Sequence, residues 1–179
     1  MTAGKGLRIS EITEAQTDED LLALLCGELE RQLGEASADR QLLYRKLLEL
    51  PLGLRAMGAT HPLDVSMALD DLGWHFRNWP SMPLAEETLA GLRILGADLP
   101  ARIFEEAWSL AQRHWTLVLS PGFHDEYFGS ELEASLMPLN RELWQALGYD
   151  GSGGANLLTY WSPYARAHPH LVCPAANDG

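Results

Sequence analysis

The sequence predicts an all-α protein: a compact bundle of about six to seven short helices, with a glycine-rich linker and a C-terminal tail. Three observations predict it. Apolar residues recur at three- and four-residue spacing through most of residues 17–147. Strand-like alternation is almost absent, and the best candidate is the short run Thr116-Leu117-Val118-Leu119. Glycine and proline punctuate the periodic runs at intervals that suit helix ends.

The elements follow in order. Residues 1–16 carry no stripe and are expected to be a flexible lead-in to a helical domain over 17–147. Thr17 caps a first helix, with Asp18, Glu19 and Asp20 in the turn that the macrodipole favours for acids; Leu21, Leu25 and Leu29 line it and Gly34 ends it. Ser37 is the expected cap of the next helix, which carries Leu43 and Leu47 and stops at Pro51. Residues 52–59 form a link or an extra turn, and Pro62 opens a helix whose stripe is Val65, Leu69, Leu72 and Phe76. The turn from Pro80 to Pro83 leads to a helix over 84–95, closed by Gly96. Asp98 is the expected cap of the helix over 98–115, with Pro100 just inside and Ile103, Phe104, Ala107 and Trp108 facing the core. Ser120 to Phe123 breaks the chain. A last helix runs from Ser130 to Leu147, and Pro138 predicts a kink or a split in it. The Gly-rich segment 148–156 is a linker, after which the aromatic stretch 157–173 is expected to dock on the body, with the final residues disordered.

Charge narrows the function classes. The 179 residues hold 25 acids against 13 Lys and Arg, a net charge of −12. Such a surface repels phosphate backbones and anionic lipids, so neither nucleic acid nor membrane is an expected direct partner. It would be steered toward basic proteins, including those that themselves bind DNA. Acidity that serves only solubility is the competing reading. The start of the chain has no apolar signal segment and no run is long enough for a membrane span, so the cytoplasm is the expected compartment. Cys26 and Cys173 fit no disulfide framework, and Cys26, in an apolar run, reads as a buried small hydrophobe.

The segment Leu84 to Trp108, LAEETLAGLRILGADLPARIFEEAW, and the segment His124 to Leu143 resemble the DNA-mimic-protein-like domain family of bacterial, mostly uncharacterised proteins. The resemblance covers roughly residues 45–145. In the family an Asn-rich Gly-Gly-Phe motif precedes the first of these segments; here Asp70 and Asp71 stand at the Asn positions and Gly73-Trp74 stands for Gly-Phe, which marks a divergent branch. The resemblance implies an acidic, dimeric helical domain that occupies the DNA-binding surface of a regulator.

The candidate partner-binding residues are Asp70, Asp71, Glu86, Glu87, Glu105 and Glu106. Carboxylates a few Å apart on neighbouring helices can stand in for phosphates, and Glu86/Glu87 and Glu105/Glu106 fall on adjacent predicted helices. A second candidate site is a pocket of Trp74, His75, Phe76 and Trp79, with His75 as base or donor; the same aromatics also suit a core where the chain turns. His168, His170 and Cys173 are of zinc-binding type but lack a fourth ligand, so no metal is expected, nor any cofactor. The segment 151–154 lacks the Lys-Ser/Thr of a phosphate loop. The expected function is therefore a non-catalytic, acidic protein-binding module, in its sharpest form a DNA mimic. A toxin-neutralising interaction protein, or a small-molecule binder or enzyme built on Trp74 and His75, is the alternative.

Overall fold

The computed structural model describes residues 6–34, 36, 39–150 and 156–173. Ser37, the linker residues 151–155, the first five residues and the last six lie outside the described residues. All regular structure described is helical, and no strand occurs among the described residues. Among the described residues twelve α-helices follow one another: α1 (Ile9–Glu14), α2 (Asp18–Leu33), α3 (Arg40–Leu48), α4 (Leu52–Leu69), α5 (Leu72–Asn78), α6 (Met82–Ile94), α7 (Asp98–Arg113), α8 (Trp115–Val118), α9 (Phe123–Tyr127), α10 (Glu131–Leu147), α11 (Trp161–Ala167) and α12 (Pro169–Val172). The 3₁₀ turn Leu157–Tyr160 precedes α11. Six of the helices have nine residues or more, and these are the ones that periodicity detects; the others are one- or two-turn pieces at bends.

The centre of the molecule is α4. Twelve of its residues are buried, so it is apolar nearly all round rather than along one stripe. This corrects the expectation of a link over 52–59 and a helix start at Pro62. The helix runs unbroken from Leu52 to Leu69 with Pro62 inside it. A proline there removes one backbone hydrogen bond, but burial on several sides outweighs that loss. Helix α6 lies against α4 at close range, because a Cβ on Gly91 would sit 2.9 Å from the Ala56 carbonyl oxygen. Beside this crossing, the Thr88 hydroxyl donates to the Ala59 carbonyl at 2.9 Å, which ties the two backbones together.

The larger core joins α4, α5, α6, α7 and α10 around Phe76, Phe104, Trp108, Phe123 and Tyr127. A second core packs α1 and α2 against the other end of α4 and the tail, through Ile12, Leu21, Leu25, Leu54 and Trp161. A third, smaller core holds Leu43, Leu47, Ala59 and Leu84. From Leu7 onward the segment expected to be a flexible lead-in is thus packed on the body, the first five residues lying outside the described ones. Ile12 is fully buried, and Glu28 of α2 accepts a hydrogen bond from the Leu7 amide at 3.2 Å. The tail docks through Asp64 of α4, whose carboxylate accepts from the Tyr149 hydroxyl and the Leu157 amide, each at 2.8 Å.

Local signals also need correction. Asp39, not Ser37, caps α3, accepting from the Gln41 and Leu42 amides at 2.9 and 3.0 Å. Asp98 is the first helical residue of α7 rather than its cap; Ala97 occupies that place without a side-chain hydrogen bond. The strand candidate at 116–119 lies in and after the short helix α8. Pro138 lies within the continuous helix α10 without splitting it. Thr17 does cap α2, its hydroxyl accepting from the Asp20 amide at 3.0 Å. Among the described residues no helix is long and apolar enough to cross a membrane.

Candidate interaction surface

The acidic corner Asp70-Asp71 separates α4 from α5, and residues far along the chain build it. The Asp71 carboxylate accepts from the Trp74 amide at 2.9 Å and so caps α5. Its other oxygen accepts from the buried Tyr127 hydroxyl of α9 at 3.1 Å. The Leu72 amide donates to Asn140 Oδ1 of α10 at 3.0 Å. One turn on, the Trp144 indole donates to the Met67 and Asp70 carbonyls at 3.0 and 3.2 Å. The Met67 and Asp70 carbonyls and the Leu72 and Trp74 amides, at the two facing helix ends, thereby gain partners. Gly73 is required here by space, since a Cβ would fall 2.3 Å from the Tyr127 ring. Burial raises the Asp71 carboxyl above its ordinary value, against the pull of its hydrogen bonds. Burial, and then the adjacent Asp71 charge, raises the Tyr127 phenol further still, so it stays a neutral donor. Asp71 is therefore a structural joint, while Asp70 beside it is exposed.

The other predicted acids divide clearly. Glu87 is half-buried and ion-paired to Arg55 of α4. Glu105 pairs with Arg93 at 2.7 Å across the α6–α7 turn. Glu106 lies 4.0 Å from Arg102, which also bridges to Glu142 of α10. Glu86 is exposed. The α6–α7 face is thus laced with arginines, three of its four predicted acids being paired. Only the Arg102–Glu106 pair has helical i, i+4 spacing that the sequence could reveal.

Carboxylates without a Lys or Arg partner collect instead along an edge formed by the start of α5, α9 and the start of α10, where Asp125 lies 2.9 Å from His124 Nδ1 and Glu126 accepts from the Ser120 hydroxyl at 2.9 Å. Asp70, Asp125, Glu126 and Glu131 are exposed there, with Glu133 and Asp71 partly so. None of these six forms an ion pair with Lys or Arg among the described residues. The elements are held together by the Tyr127–Asp71 bond and by Trp74, whose ring meets Phe123 and His124 edge-on with centroids 5.2 and 5.9 Å apart. Glu133 folds back to accept the Gly129 amide at 2.5 Å. Arg77 is the nearby cation; it donates to the Val118 carbonyl at 3.1 Å and lies 5.7 Å over the Phe123 ring. Phe128 stands 56% exposed beside the acids, an unusual position for a large aromatic.

The predicted aromatic pocket is not one site. His75 is buried between Phe76 and Phe104, with its Nδ1 3.1 Å from the Ser66 hydroxyl. Burial pushes its pKa down to about 3, so it is a neutral core histidine. Phe76 packs in the same core against Trp108. Trp74 supports the acidic edge, and Trp79 lies apart, against the third core. No group of three or more His, Cys, Asp or Glu side chains among the described residues is placed to hold a metal ion.

Compared with protein-family models, with curated proteins and with solved structures, the chain matches none. The interpretation of the acidic edge therefore rests on its residues and their geometry.

Proposed function

We propose that this protein is a non-catalytic, acidic interaction module that binds a basic protein surface through the edge of α5, α9 and α10. The observation that carries the reading is a local concentration of charge. Six carboxylates without a Lys or Arg ion pair among the described residues lie on three neighbouring elements, whereas on the α6–α7 face three of the four predicted acids are paired with arginines. Unmatched charges repel one another and add little to a fold, but they favour encounter with a basic surface. The joint beneath them holds the edge rigid, which suits docking without rearrangement. In its sharper form, the partner is a DNA-binding protein and the carboxylates occupy phosphate positions, as the sequence resemblance implies.

The test is capture from a bacterial lysate at low and high salt, with duplex DNA as competitor. A DNA-binding protein released by salt and displaced by the duplex is the expected result. Asp125→Lys/Glu126→Lys should abolish that capture, and Glu86→Lys/Glu105→Lys should retain it. Capture that is insensitive to salt, or lost only in the second pair, would overturn the assignment.

A further inference from the structure

A cavity of about 470 Å³ opens between α2, α3 and α4, away from the acidic edge. That volume lies in the range of small-molecule sites. Helices α2 and α4 touch at Gly58, where a Cβ would meet the Leu29 and Leu33 side chains at 3.2 and 3.3 Å. Two turns further along α4, Val65 is 42% exposed although it lines the same space. Beyond the Gly58 contact the two helix faces therefore do not close on each other. The space left between them is walled by Leu29, Leu33, Leu43, Val65 and Trp79, and by the buried ring of Trp161 from α11. Leu33 and Trp79 stay half-buried there. Water gains few hydrogen bonds from such walls, so an apolar body displaces it favourably.

We infer that this cavity binds a small amphiphilic cation, whose apolar body fills the space between α2 and α4 and whose protonated amine is held at the mouth by Glu30. Two observations set the charge. Cys26, Glu30 and Leu33 stand at i, i+4 and i+7 on α2 and all three line the cavity, so Glu30 lies on the stripe that faces it. It is exposed, and no Lys or Arg pairs with it among the described residues. Glu28, one place off that stripe, is by contrast held by Arg31 and Gln32. The described lining residues include no Lys or Arg, so nothing there would hold an anion. An amine brings the missing positive charge, and the carboxylate offers the acceptor that its N–H groups need. The net charge of −12 acts in the same direction. The other ionisable side chains of the lining are His61, exposed, with its ring 6.0 Å from that of Trp161, and Cys26. Cys26 is half-buried rather than fully buried as its apolar run predicted. Burial pushes its thiol up from the ordinary value, so it serves as a neutral wall and not as a nucleophile.

The experiment is a titration of the full chain with three probes of one shape: 4-phenylbutylamine, butylbenzene and 4-phenylbutanoate. The readouts are Kd and the backbone amide shifts of Leu29, Leu33 and Val65 in two-dimensional NMR. The amine should bind saturably and shift those three amides. At low salt it should bind about fivefold more tightly than butylbenzene, the upper worth of one exposed ion pair, and the carboxylate should bind most weakly. Glu30→Gln should bring the amine to the affinity of the hydrocarbon. Glu19→Gln, at an exposed position near the start of the same helix, should leave the preference intact. Val65→Trp should block the amine by filling the mouth. Equal affinity for amine and hydrocarbon, tightest binding of the carboxylate, no saturable binding, an equal effect of the two Gln variants, or binding that survives Val65→Trp would each overturn the inference.

Discussion

The burial of His75 makes folding stability depend on pH in a way that one substitution isolates. The imidazole is held neutral, its pKa pushed down to about 3 by burial, while in the unfolded chain it titrates near 6.5. The folded state thus refuses a proton that the unfolded state accepts. Its contribution to stability is complete above the unfolded value and is lost as pH falls from about 6.5 toward 3. Between pH 7 and pH 5 the loss works out at about 2 kcal/mol, from the difference in proton binding between the two states. Other groups titrate over the same range, so the quantity to measure is a difference. Urea unfolding of the protein and of His75→Gln, at pH 7, 6 and 5, gives it directly. Gln keeps a polar group near Ser66, whose hydroxyl is also satisfied by the Pro62 carbonyl at 2.8 Å. The variant should be less stable at pH 7, and the gap should narrow by about 2 kcal/mol by pH 5. A gap that stays constant, or an NMR titration of His75 near its free value, would refute the burial argument.

Three further outcomes are expected. Gly73→Ala places a methyl against the Tyr127 ring and should lower stability by about 2–3 kcal/mol, read as a drop in thermal midpoint. Asp64→Ala leaves the Tyr149 hydroxyl and the Leu157 amide without their acceptor; a loss of about 3 kcal/mol and faster amide exchange across residues 157–173 should follow. By contrast, Glu105→Ala breaks an exposed pair with Arg93 and should change stability by less than about 1 kcal/mol in chemical denaturation.

Several features were legible in the residues alone. Those that depend on one helix, its spacing and its ends, could be read directly: the helical class, the long helices α2, α6, α7 and α10, and the Thr17 cap. Such signals arise between residues three or four apart, so no distant partner is needed to express them. The start of α4 was misread because Pro62 looks like a boundary when only local backbone terms are weighed. Burial on several sides, a property of the assembled body, decides otherwise. The site divides in the same way. The acidity and the aromatic richness around residue 74 stand in the sequence. Which acids remain unmatched does not, because Arg55 and Arg93 reach their partners only through tertiary packing. Tyr127, Asn140 and Trp144 carry no sequence signal for their part in the Asp71 joint, since each hydrogen bond spans more than fifty residues. The sequence by itself determined what the helices are and how much negative charge they carry. Only the tertiary structure decided where that charge is left unopposed, and that an indole from the tail closes a cavity beside α2 and α4. The physical reason is range: helix formation is local, whereas charge pairing and cavity walls join residues that meet only after the chain has packed.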